Sequence, residues 1–179
     1  MPAIAPPAIA SLETFTRVRV ACVIDEDTAA AVRALRVAED QYRYVGDTAF
    51  NLADSLRDPM SEAMAVLADD RVVGFYRLDF APNAVAGRPM HAPSVGLRAF
   101  VIGLDQQGRG LGTQAMAACC ADLRLRHPDR ALLVLTVNCN NHAAISAYRK
   151  AGFVDTGELY QGGSAGPQHL MLIPLHPNS

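Results

Sequence analysis

Apolar and polar positions along the chain alternate with two different periods, and the changes of period divide it into short elements. Thr16 to Val23 alternates with β-branched residues and reads as a strand. Asp27 to Glu39 is Ala-rich with apolar residues at helical spacing behind Asp25 or Asp27 as a cap. A second short helix is predicted from Asp47 to Arg57, stopped by Asp58 and Pro59. Glu62 to Ala68 and Val72 to Phe80 flank an Asp69-Asp70 turn as an antiparallel hairpin, and Ala81 to Ser94, with Pro82, Gly87, Pro89 and Pro93, is a loop. Val95 to Ile102 is apolar on both faces except at Arg98, the signature of a central strand. Gly110 to Arg126 then repeats at helical spacing, Ala131 to Val137 is a buried strand, and Asn141 to Ala151 is a helix that ends at Gly152. Phe153 to Tyr160 and His169 to Leu175 close the chain as strands around a Gly-rich turn. The expected order is β α α β β β α β α β β, an α/β domain whose sheet is antiparallel early and gains a parallel crossover late.

Composition narrows this picture to one domain over 14–179, preceded by a disordered tail over 1–13 that three prolines keep from forming a helix. The chain has 179 residues, half of them apolar, enough to bury a core without disulfides or a structural metal. Sixteen cations and eighteen anions give a net charge of -2 and are interspersed, so no broad phosphate-binding face for nucleic acid is expected. No apolar run is long enough for a membrane span, and the opening MPAIAPPAIAS lacks the charged start of a signal peptide, so the expected location is cytoplasmic. Cys22, Cys119, Cys120 and Cys139 include no C-x-x-C pair, the spacing of neither a metal site nor a disulfide framework; they read as core residues, and no metal is expected.

The chemistry is concentrated after the central strand, in Asp105-Gln106-Gln107-Gly108-Arg109-Gly110-Leu111-Gly112-Thr113. Glycines at every second position let backbone amides crowd a ligand, and the following helix start adds unpaired N–H groups, together a seat for a phosphate or pyrophosphate. A Walker loop needs a Lys that is missing here. A dinucleotide fold needs G-x-G-x-x-G and an acid at the end of the next strand, where this chain has Val137-Asn138.

Gln107, Gly110 and Gly112 instead fit the pattern [QR]-x-x-G-x-[GA], and this loop resembles the acyl-CoA signature of the GNAT superfamily of N-acetyltransferases. The Asn-rich turn Asn138 to Asn141, the helix carrying Tyr148 and the Gly152-Phe153 step are similar to that family's next landmarks, so the likeness runs through nearly the whole chain after the tail. Segments 41–45, 52–56 and 69–75 resemble polyamine (spermidine/spermine or diamine) acetyltransferases. The resemblance implies a GNAT-like fold: a mixed, mostly antiparallel sheet with a splayed parallel pair and helices on both faces. It implies acetyl-CoA as co-substrate, with Phe100, Val101 and Ile102 offering backbone to the pantetheine arm. Amides of Gly108, Arg109, Gly110, Leu111, Gly112 and Thr113 would hold the pyrophosphate, and Gln107, Asn138 and Asn141 would contribute to cofactor binding. Arg109 or Arg149 would meet the 3′-phosphate.

Tyr148 is the expected general acid to the departing thiolate, with a core aromatic as the alternative. The base that many relatives carry on the central strand is missing, leaving Glu26, Asp79, Glu158 and His169 as candidates. An acyl-Cys route through Cys139 lacks an evident base and orienting group. The implied partner is a small primary amine, with a polyamine favoured by the acids Asp25, Glu26, Asp27, Glu39 and Asp40 around the first helix. A protein N-terminus or lysine as acceptor, a CoA-binding subunit without catalysis, and a homodimer all stay open.

Overall fold

The computed structural model describes residues 16–176, so the expected tail over 1–13 lies outside the described residues. The elements run β1 (Val18–Cys22), α1 (Glu26–Arg33), α2 (Glu39–Val45), α3 (Thr48–Arg57), β2 (Ser61–Ala68), β3 (Arg71–Asp79), β4 (Ser94–Ile102), α4 (Leu111–Arg126), β5 (Leu132–Asn138), α5 (His142–Lys150), β6 (Val154–Tyr160) and β7 (Gln168–Pro174). The strands form a single seven-stranded sheet in the order β1-β2-β3-β4-β5-β7-β6. Every neighbouring pair is antiparallel except β4 and β5, and β4 is the middle strand.

The sheet is covered on both faces because its strands alternate. On one face Tyr76, Leu78, Val95 and Leu133 pack with Leu111, Ala115, Met116, Cys119 and Leu123 of α4. On the other, Ala63, Ala65, Phe75 and Val101 pack with Val32 of α1 and Leu52 of α3. Leu52 is 1% exposed, and burial of such a side chain contributes roughly 1.5–3 kcal/mol, enough to seat a ten-residue helix that would be marginal alone. Asp25 and Asp47 accept from the Thr28 and Phe50 amides and fix where α1 and α3 begin.

Helical spacing across 27–39 is misleading. α1 ends at Arg33, residues 35–38 are not helical, and an additional helix, α2, occupies Glu39–Val45. Tertiary contacts override the local period here: the Leu104 amide donates to the Arg36 carbonyl at 2.8 Å, and Leu35 and Val37 insert into the core beside Val101. The predicted loop 81–94 does lack strand and helix up to Pro93, where β4 takes over at Ser94, yet Val85, Ala86, Met90 and Ala92 pack against Leu132, Val134 and Leu170 and fold it over the sheet. Among the described residues no helix is long and apolar enough to cross a membrane. Cys119 and Cys120 are buried as expected; Cys22 and Cys139 are half-buried, and all four are free.

Candidate active site

β4 and β5 pair only where Ser94–Gly96 meet Leu132–Val134. Past Gly96 the two strands part. The cause lies on the other side of β4, where Ala99 and Phe100 together stand opposite the single residue Tyr76 of β3. Ala99 takes up this bulge with φ +53°, a left-handed conformation that costs a residue bearing Cβ of order 1 kcal/mol and is held by the pairing on either side. The edge of β4 from Leu97 to Ile102 is therefore not paired with β5, and a cavity of about 700 Å³ runs through the opening.

The glycine loop closes one end of that cavity. Gly108 and Gly110 have φ +77° and +73°, and Gly110 is the N-cap of α4, so the helix starts one residue later than its spacing suggested. A Cβ on either glycine would meet nothing within 4 Å: these residues are needed for backbone shape, and the space over them is open. The Gln107 side chain ties the loop down. Its Nε2 donates to the Ile102 carbonyl at 2.9 Å and to Oε1 of Gln41 at 2.8 Å, joining loop, strand end and α2. Unbonded amides at the start of a sixteen-residue helix then face an opening with room for an anion.

Across the opening, Asn138 is 5% exposed; its amide donates to the Ala165 carbonyl at 2.8 Å and its Oδ1 accepts from the Asn140 amide at 2.9 Å. Asn141 caps α5 through the Ala144 amide at 3.3 Å. Both line the cavity while serving the turn. Tyr148 stands on α5 between Phe100, at 6.2 Å between ring centroids, and Phe153, at 5.5 Å. Its ring belongs to the core, and the residue also lines the cavity. The Tyr148 hydroxyl has no hydrogen-bond partner among the described residues, and burial pushes its pKa up, which keeps the proton on oxygen.

A family model described as the Acetyltransferase (GNAT) family matches residues 24–153. The chain belongs to the GNAT family of acetyltransferases. Mycothiol acetyltransferase of Saccharomonospora viridis is 34% identical over 140 residues, covering 74% of this chain and 39% of that relative, so the chain spans about two fifths of its length. An aminoglycoside acetyltransferase in complex with coenzyme A and kanamycin superposes with a TM-score of 0.67 at 18% identity over 88% of this chain and 95% of that one. Spermidine N-acetyltransferase from Vibrio cholerae, in complex with CoA and spermine, gives 0.65 at 15% identity over 88% and 95%. These two likenesses are of fold, and the GNAT-like sheet with its one parallel pair and two-sided helical cover is the architecture expected from the sequence.

The GNAT loop and strand residues named from sequence, Phe100, Val101, Ile102, Gln107, Gly108, Gly110, Leu111, Gly112 and Thr113, line one cavity with Asn138, Asn141 and Tyr148. Arg109 does not; it is exposed and bonds Gln106, while Arg149 points to Asp155 at 3.9 Å and Lys150 lines the cavity instead. None of the base candidates lines it. Glu26 pairs with Arg33, Glu158 with Arg88, His169 with Asp155 at 3.0 Å and Asp79 with Arg98 at 3.1 Å. Cys139 is also absent from the wall, and so are all five acids around the first helix. Of the other residues that line it, Arg43 and Tyr44 fall in the segment 41–45 likened to polyamine acetyltransferases, whereas Arg77, Arg98 and Tyr160 were not named as site residues. Only Arg98, a charge inside an apolar strand, left a trace in the pattern.

Proposed function

We propose that this chain is an N-acetyltransferase that takes the acetyl group of acetyl-CoA and passes it directly to the primary amine of a small molecule. One observation carries this reading: the β4–β5 opening leads without interruption from an unpaired strand edge to an open, left-handed glycine loop at a helix start. An extended, amide-bearing arm fits such an edge as an added strand would, and a pyrophosphate fits the helix start. GNAT membership and the CoA complexes of the structural neighbours support the same cofactor. The residues named from sequence keep their roles in this proposal, except that Lys150 replaces Arg109 and Arg149 as the cation for a CoA phosphate.

Acetyl-CoA supplies an activated acyl carbon and a thiolate leaving group. The acceptor nitrogen, as free base, forms a bond to that carbon while the C–S bond breaks. One proton leaves the nitrogen to water, and the Tyr148 hydroxyl gives its proton to sulfur and recovers one from water, leaving an N-acetyl product and free CoA thiol. A phenol raised above its usual ~10 donates uphill to a thiol near ~8.5, so its contribution falls toward the lower part of the usual range for general acids. The wall offers no carboxylate or imidazole among the described residues, so the amine enters already neutral. A polyamine was expected from the acids around α1, yet none of those carboxylates reaches the cavity.

Thermal melting tests the cofactor. Acetyl-CoA at a hundred times its Kd stabilises the native state by about 2.7 kcal/mol, or roughly 5–11 °C for a domain of this size, whereas ATP and nicotinamide nucleotides leave the melting temperature unchanged. Equal shifts with ATP defeat the assignment. Binding of acetyl-CoA with no thiol release across a panel of amines, peptides and aminoglycosides leaves a binding module without catalysis.

A further inference from the structure

The cavity wall is electrically one-sided. Among the described residues that line it are four cations, Arg43, Arg77, Arg98 and Lys150, and no Asp, Glu or His; its other titratable groups are Tyr44, Tyr148 and Tyr160. Lys150 stands on α5, which packs against α4, the helix that begins at the glycine loop. The three arginines come from α2, β3 and β4, and Arg77 and Arg98 are cross-strand partners. They have different surroundings. Arg77 is engaged on every side: its Nε donates to Ser61 at 2.9 Å, and its two terminal nitrogens donate to Asp54 and to Asp58. Arg98 has one such contact, from Nη1 to Oδ2 of Asp79 at 3.1 Å, and its side chain is 49% exposed.

Asp79 is the reason Arg98 is positioned rather than free. Its side chain is only 6% exposed, it accepts from the Ala81 amide at 3.1 Å, and it does not line the cavity. A buried carboxylate of this kind holds its guanidinium partner in place. Asp54 and Asp58 likewise pair with Arg77 from outside the wall, so the charges nearly balance while only the cations line the cavity. Ammonium groups of a polycation would meet guanidinium N–H donors here, with the balancing carboxylates set behind them and outside the wall. An oxyanion would meet a planar fork with Nε and Nη2 unused among the described residues.

We infer that the acceptor is an amine that also carries an anionic oxygen group, a carboxylate or a phosphate, and that Arg98, held by Asp79, receives that group. This deepens the acetyltransferase reading and rests on it. The same cations favour the neutral form of the acceptor amine, the form that attacks, which suits a cavity without a side-chain base.

The test uses CoA-saturated protein and matched probes: L-amino acids against their carboxamides, O-phosphoethanolamine against ethanolamine, and spermidine. The anionic member of a pair is expected to raise the melting temperature and, with acetyl-CoA, to exceed its uncharged partner at least tenfold in kcat/KM. The two arms separate carboxylate from phosphate. Arg98→Gln alone strands Asp79, so the double variant Arg98→Gln/Asp79→Asn removes both charges together. It is expected to melt near wild type, keep the acetyl-CoA shift and lose the preference to below threefold, and Arg98→Lys to recover part of it. The inference is overturned if spermidine or the uncharged partners do as well as the anionic probes, if no anionic probe shifts melting, or if the double variant keeps the preference. Loss of the acetyl-CoA shift in wild type itself would sink the underlying reading instead.

Discussion

Replacing Tyr148 with Phe isolates one oxygen atom. The ring sits between Phe100 and Phe153 with centroids at 6.2 and 5.5 Å, contacts that Phe reproduces. The hydroxyl has no partner among the described residues, so its removal strands no donor or acceptor. Stability should stay within about 1 kcal/mol of wild type, or roughly 2–4 °C in melting temperature. Catalysis should not be so tolerant. Positioned general acids contribute ~10² to 10⁴-fold, and a phenol raised by burial donates against a larger pKa gap, so a loss of about 10²-fold in kcat is expected. The acetyl-CoA melting shift should be unchanged, because the ring and the loop are intact. The assay is thiol release at saturating acetyl-CoA, with melting as the control. Near-normal kcat in a normally melting variant would remove Tyr148 from the chemistry, and a drop of several kcal/mol in stability would show a structural partner for its hydroxyl.

Two further outcomes follow from the loop and from the buried arginine. Gly110→Glu puts a side chain and a negative charge into space where a Cβ meets nothing within 4 Å, at φ +73°; the apo protein should lose about 1–2 kcal/mol while acetyl-CoA affinity, read by titration, falls at least tenfold. Unchanged affinity would move the phosphate seat elsewhere. The Arg77 guanidinium holds the Asp54 carboxyl below its ordinary value of 3.8, so the native state binds fewer protons than the unfolded chain there, and Asp54 contributes stability above about pH 4 that is lost as pH falls through its folded pKa. Urea unfolding of wild type and Asp54→Asn should therefore show a gap that closes below pH 4, and a gap constant with pH would contradict the pairing.

The amino-acid sequence by itself determined the elements whose cause is local. Period-two and helical patterns placed every strand and the helices α1, α3, α4 and α5 to within a few residues in all but the end of α1, because those patterns record which face meets the core. Gly108, Gly110 and Asn141 were legible because left-handed backbone and a helix cap each restrict the residue types allowed. The break between α1 and α2 was not, since it depends on Leu104 bonding Arg36 from 68 residues along the chain. The same holds for the site's charge. Asp79, Glu158 and His169 look like bases in one dimension, and only the fold shows each facing a polar partner, Arg98, Arg88 and Asp155 respectively, instead of the cavity. The acids around α1 suggest a cation site until α2, β3 and β4 bring three arginines to the opening. Backbone conformation is encoded within a few residues of where it occurs, whereas the sign of a cavity's field is set by side chains that only strand register and helix packing bring together.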